Sequence, residues 1–210
     1  ISVHPDQRVT VKAPAGTQLE IIRKKVWKRA SWIRKARREF ELYLPKQPER
    51  RYISGEAHRY LGRQYRLKAI QGVEDSVKCL RGHFWVTTSD DPHPDKVKKL
   101  LESWYRTKAK RVFSERLELC HKKFTRHKIQ KTAFSIRKMK TRWGSYSPAG
   151  RITLNLELIK TPKDCIDYVI VHELCHIVEP HHGNRFWRLI NSFIPDYEKR
   201  RTRLNMFADV

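Results

Sequence analysis

Residues 172 to 176 read His-Glu-Leu-Cys-His, and a second histidine pair, His181 and His182, follows closely. This spacing constrains the fold more than any other feature of the chain. Only a helix stacks residues four apart on one face, about 5–6 Å between their Cβ atoms, so that two imidazoles approach one ion while Glu173 points to the neighbouring face. Thr161, Pro162 and Asp164 read as N-cap, first-turn proline and first-turn acid, which predicts a helix beginning there with the motif in its second half. Ile166, Val169, Ile170, Leu174 and Ile177 give that helix an apolar stripe beside the histidines, so it is expected to lie against a core.

The chemistry of such a site explains the residue types. Zinc in a catalytic centre takes three protein ligands and keeps one position for water, whose pKa it lowers to about 7. His172 and His176 supply two ligands, and the third must come from beyond the helix. His182 is the expected one, because Pro180 before it and Gly183 after it let the chain stop the helix and turn back. His181 falls one residue early, and Asp196 is an acidic alternative further downstream. Glu173 is the acid placed to act as general base, a role that contributes roughly 10²–10⁴ in rate. Zinc is the expected cofactor, although Ni2+ and Co2+ accept similar ligands.

Beyond the motif, the sequence contains Arg-Lys-Met-Lys-Thr-Arg-Trp-Gly-Ser at 137 to 145, Ile-Thr-Leu-Asn-Leu at 152 to 156, Asp-Tyr-Val-Ile-Val-His-Glu-Leu-Cys-His at 167 to 176 and His-His-Gly-Asn-Arg-Phe-Trp at 181 to 187. In this series it resembles the YgjP-like metallopeptidases, relatives of the SprT and WLM zincins. Val9 to Pro14, Tyr60-Leu61-Gly62 and Tyr65-Arg66-Leu67 resemble the earlier part of that family. One departure is Tyr146, where many members carry cysteine. The resemblance implies an α+β zincin-like fold, His172, His176 and His182 as zinc ligands, and Glu173 as general base. By the same analogy, 137 to 145 is the edge strand along which a peptide substrate lies. Arg142, Trp143 and Tyr168 are the candidate substrate-binding residues, with Arg142 and Tyr168 as possible oxyanion donors; Trp143 taken alone reads as core.

With 210 residues the chain can bury a substantial core, as one domain or as two, 1–92 and 93–210. No apolar run has the length of a membrane span and no signal-peptide pattern opens the chain, so a cytoplasmic protein with no membrane partner is expected. Cys79, Cys120, Cys165 and Cys175 show no paired spacing and read as reduced and packed, Cys175 included.

Lys plus Arg number 46 against 22 Asp plus Glu, a formal charge of +24. A charge of this size suggests a polyanionic partner, and nucleic acid is the natural one. The cations concentrate over residues 23–38 and 106–142, and Lys24, Lys25, Lys28, Arg34 and Arg37 are the candidate nucleic-acid contacts.

Along the chain, 1–11 alternates as a strand, and Thr17-Gln18-Leu19-Glu20 reads as a capping box opening a helix over 17–41. Leu19, Ile22, Val26, Ala30 and Ile33 form its apolar positions, with Trp27 and Trp32 read as packing residues. Short alternating segments between 52 and 87 predict a small antiparallel sheet, followed by a long basic helix from His93-Pro94 to about Phe124. Residues 134–145 and 151–156 are expected to form a hairpin before the motif helix.

Three functions compete: a zinc-dependent metallopeptidase, extended to nucleic-acid-associated protein substrates; a nucleic-acid-binding protein whose zinc is structural; and a metal hydrolase of non-peptide bonds. A structural site would add a fourth protein ligand, such as Asp196 or Glu179.

Overall fold

A computed structural model describes residues 1–3, 8–34, 50–127, 129–130, 132–140, 142–147 and 149–207. The chain divides into two compact units, one of residues 1–48 with 208–210 and the other of residues 49–207.

In the first unit, β1 (Ser2–Val3) pairs antiparallel with β2 (Val9–Thr10), so the alternating 1–11 segment is a pair of short strands rather than one long strand. Helix α1 (Leu19–Lys28) follows, and helical backbone resumes over 30–34 after a turn at Arg29. The rest of the helix expected to 41 lies outside the described residues. Thr17 does not cap it: its hydroxyl donates to the Pro14 carbonyl at 2.7 Å, closing the preceding turn, and Gln18 takes the N-cap position without a side-chain bond. Trp27 and Trp32 are exposed, contrary to the packing role expected of them.

The second unit opens with a four-stranded sheet, β3 (Ala57–Tyr60), β4 (Arg63–Gln71), β5 (Ser76–Leu80) and β6 (His83–Thr88), in the order β3-β4-β6-β5. The sheet is mixed rather than antiparallel, because the β5–β6 hairpin folds back so that β6 lies parallel to β4. Both two-residue turns, Leu61-Gly62 and Arg81-Gly82, have positive φ at each position, which matches the twist of the flanking strands. Helix α2 (Pro94–Lys123) begins at His93, whose side chain accepts from Asp95 N, and buries Val97, Leu101, Tyr105, Ala109, Val112, Phe113, Leu117 and Cys120. Its length and limits agree with the sequence pattern.

A second sheet repeats the first sheet's plan. Strands β7 (Ala133–Arg137), β8 (Gly144–Ser147) and β9 (Arg151–Asn155) lie in the order β7-β9-β8, with β7 parallel to β9 and β8 antiparallel to it. The expected hairpin is therefore β8 with β9 alone. The strand expected over 134–145 breaks at 138–143, where the Asn155 side chain draws the backbone into a loop.

A 3-10 turn (Leu156–Lys160) leads into α3 (Lys163–Val178), α4 (Asn184–Phe193) and α5 (Tyr197–Asn205). Thr161 is buried and is not the N-cap of α3; its hydroxyl donates to Leu158 O at 2.8 Å, closing the 3-10 turn, and the helix starts after Pro162. The Leu61-Gly62 turn braces this junction, with Leu61 N and Gly62 N donating to the carbonyls of Ile159 and Lys160, each at 3.0 Å. A Cβ on Gly62 would lie 2.7 Å from Pro162 Cγ, so glycine is needed for that approach as well as for its φ.

Helix α3 packs on α2, and a bidentate ion pair locks the two: Arg116 Nε and Nη2 donate to the two Asp167 oxygens at 2.7 and 2.5 Å. Around it Phe113, Phe124, Ile166, Ile170 and Leu174 are fully buried, each contributing about 1.5–3 kcal/mol by leaving water. The α+β class is as the sequence implied. Among the described residues no helix is long and apolar enough to cross a membrane.

Candidate metal centre

Helix α3 carries His172, Glu173 and His176, and it ends where proline demands. Glu179, before Pro180, is extended at φ −129°, ψ 95°, which stops the helix and sends the chain back across its own end. His182 thereby returns to the histidine face. Its Nε2 lies 3.0 Å from Nε2 of His172, and one nitrogen from each of His172, His176 and His182 lies within 4.8 Å of the others. The ring centroids are 4.6 to 5.0 Å apart.

Two ring nitrogens aimed at each other across a hydrogen-bond distance make a poor neutral pair unless one donates. They make a good donor set for one divalent ion, whose bonds to imidazole are about 2.0–2.1 Å long. The electrostatics agree. Burial, then the neighbouring histidines, push the pKa of His172 down to about 3; burial also lowers those of His176 and His182. All three rings are neutral at physiological pH, the form a metal requires. The backbone of Glu179 and Pro180 acts against that lowering at His176. Among the described residues the buried Nδ1 of His172 has no hydrogen-bond partner, so the burial of that nitrogen is uncompensated.

Glu173 is buried beside these rings, outside the set of converging nitrogens. Burial raises its pKa to about 7, while the Tyr146 backbone N–H and the Arg142 charge pull the other way. A carboxyl near pH 7 can both take and return a proton. Tyr146 belongs to β8, an outer strand of its sheet, so the helix acid and a sheet edge meet at one spot.

Asp196 is not in the cluster; it is exposed and paired with Arg200 Nε at 3.0 Å. His181 is exposed and outside it too. Tyr168 is buried, its ring edge toward His172 at 6.0 Å, and burial pushes its hydroxyl up to about 12, so it stays a proton donor. Arg142 is exposed and Trp143 half-buried against the core. Lys24, Lys25, Lys28 and Arg34 are exposed in the first unit; Arg37 lies outside the described residues.

The family described as "YgjP-like, metallopeptidase domain" matches residues 1–207. The chain belongs to the YgjP-like metallopeptidase family. As a YgjP-like domain it is a hydrolase of the metallopeptidase type, and that type implies a metal ion. Two solved structures are similar to parts of it. The metallopeptidase zymogen abylysin of Pyrococcus abyssi is 22% identical, covering 44% of this chain and 90% of that one, with a TM-score of 0.40. The zymogen jannalysin of Methanocaldococcus jannaschii is 22% identical, covering 46% and 85%, with a TM-score of 0.35. No curated protein matches.

In this YgjP-like domain several site residues escaped the sequence reading. Phe186 is fully buried with its ring 4.7 to 5.0 Å from all three histidine rings, forming the floor of the cluster. Trp187 stacks on His182 at 5.8 Å, 23° from parallel. Both sit one helical turn past His182, a spacing that signals contact with it once a helix is assumed after Gly183. Gly144 and Asn155 gave no such signal, because their roles come from the meeting of the second sheet with α3.

Proposed function

We propose that this chain is a zinc-dependent peptidase in which His172, His176 and His182 hold the ion and Glu173 is the general base. The observation that supports it best is the convergence of three neutral imidazoles beside a buried carboxyl left outside the donor set. Bound there, a zinc ion would act as a Lewis acid and make a water acidic enough to serve as nucleophile near neutral pH. With the ion held there, Glu173 would be the residue to accept a proton from the water and return it to the leaving amine. Its side chain packs against Gly144 of β8, and the outer edge of that strand can receive an extended peptide as an added strand. Tyr168, held protonated, and Arg142 supply donors and charge toward the oxygen that becomes negative.

A structural-zinc reading needs a fourth protein ligand. Among the described residues the cluster contains three histidines and no carboxylate, which favours an open position. Substitution of Glu173 by Gln tests the mechanism: metal content is retained while peptide hydrolysis falls by roughly 10²–10⁴. Full activity in that variant overturns it. Nucleic-acid-associated proteins are the narrower substrate reading and cytoplasm the proposed compartment. They are supported by the charge of +24 and by four free cysteines. Absence of any duplex DNA binding at moderate salt removes the first.

A further inference from the structure

We infer that the site selects peptides carrying a carboxylate close to the scissile bond, recognised by Arg201 and Arg142. This deepens the peptidase reading and rests on it. Arg201, exposed on α5, places its guanidinium 5.9 Å from the centre of the Trp187 ring, and that ring stacks on His182. The guanidinium and the His182 imidazole thus both border one indole, which also stacks on Tyr197 at 5.6 Å, and the Arg201 charge bears on His172, His182 and Tyr168.

Two of its cationic neighbours on the same helix are paired. Arg200 pairs with Asp196 and Arg203 with Asp164, whereas Arg201 has no carboxylate within ion-pair distance among the described residues. Arg142 lies two residues ahead of β8. Its carbonyl accepts from Asn155 Nδ2 at 3.0 Å, which fixes the residue just ahead of β8, and its exposed side chain bears on Glu173 without forming an ion pair among the described residues.

Two unpaired guanidinium groups beside a cation-binding cluster leave a concentrated positive field that the single buried carboxyl of Glu173 does not cancel. A substrate anion completes that balance, and the charge of the whole chain speeds its approach. The anion is a peptide carboxylate, from either an acidic side chain or a free C-terminus.

One neutral fluorogenic peptide scaffold with an amidated C-terminus tests this. Glu, Gln or Lys is placed on either side of the cleaved bond, and a fourth neutral peptide keeps its free terminal carboxylate. With the zinc-loaded full chain, kcat/KM for the Glu peptides exceeds that for the Lys peptides by on the order of tenfold at low ionic strength, and salt narrows the ratio. Arg201→Glu inverts the ratio and Arg201→Gln compresses it. Fluorescence anisotropy with the Glu173→Gln variant gives the same order of peptide affinity without turnover. A gain confined to the free-terminus peptide assigns the carboxylate to the chain end. Equal cleavage of all peptides, or an unchanged ratio in Arg201→Glu, overturns the inference. So does uniform inhibition by duplex DNA with no effect of peptide charge, which would assign these cations to nucleic acid. If metal is bound and no peptide is cleaved, the peptidase reading itself falls.

Discussion

Gly144 and Glu173 meet so closely that a methyl group on the glycine would lie 2.8 Å from the glutamate Oε1 and 3.0 Å from its Cγ. The contact joins the first residue of β8 to the acid of α3, and Val169 Cγ1, 2.9 Å from the same point, closes the other side. The space beside Glu173 is filled by glycine because nothing larger fits.

Gly144→Ala therefore displaces Glu173, since Val169 is on the packed face of α3 and yields less readily. A displacement of about 1 Å in a proton-transfer group costs on the order of 10² in rate. The expected result is a fall of that size in kcat with metal content unchanged; wild-type kcat in the variant would contradict the contact's role.

Asn155 is the clamp of the loop that precedes β8. Its Oδ1 accepts from Met139 N and Glu157 N, and its Nδ2 donates to Met139 O and Arg142 O, so all four positions of the amide are used. Asn155→Ala leaves these part-buried backbone groups without the buried amide and is expected to cost about 1–3 kcal/mol, read as a lower denaturant midpoint. Asn155→Asp also loses stability, because a carboxylate cannot donate to the two carbonyls.

The Arg116–Asp167 pair is mostly covered, with side chains 20% and 12% exposed. Arg116→Met leaves a carboxylate beside the core of α2 and α3 and is expected to destabilise by about 2–3 kcal/mol, below the 3–5 kcal/mol of a fully buried pair. Adding Asp167→Leu recovers much of the loss. Chemical denaturation of the single and double variants measures the coupling.

His58 gives the fold an acid sensitivity. It is buried between Tyr52 and Phe84, and burial, then the Arg50 charge, lower its pKa from 6.5 to about 4 against the opposing effect of Glu56. The unfolded chain binds this proton near pH 6.5 and the folded chain only near 4. Its stabilising effect is complete above 6.5 and is lost as pH falls toward 4. In metal-free protein His172 acts with the same sign from pH 6.5 down to about 3. The urea midpoint is expected to drop between pH 6.5 and 4, and His58→Gln to flatten that drop; an equal slope in the variant would count against it.

What was legible in the sequence follows from how local its causes are. The histidine-bearing helix, the return at Pro180 and His182, and the limits of α2 depend on spacing, caps and proline, all readable within a few residues. Thr161 was misread because the N-cap signature fits a residue that closes a 3-10 turn equally well. The parallel pairs β4–β6 and β7–β9 were hidden because a strand's residues do not record its partner's direction. The edge expected over 137–145 shrank to β8 because Asn155, ten or more residues downstream, draws its first half into a loop. Gly144, Phe186 and Arg201 matter through contacts made only after sheet, helices and return loop come together.

The central claim is that three imidazoles share one ion while Glu173 stays outside its coordination. Zinc titration of metal-free protein, followed calorimetrically for wild type, Glu173→Gln and His182→Ala, tests it most directly. The account expects one zinc per chain in wild type, essentially the same affinity in Glu173→Gln, and a loss on the order of 10²-fold or more in His182→Ala, where the ligand itself is gone. Unchanged affinity in His182→Ala, or loss of binding in Glu173→Gln, would contradict it.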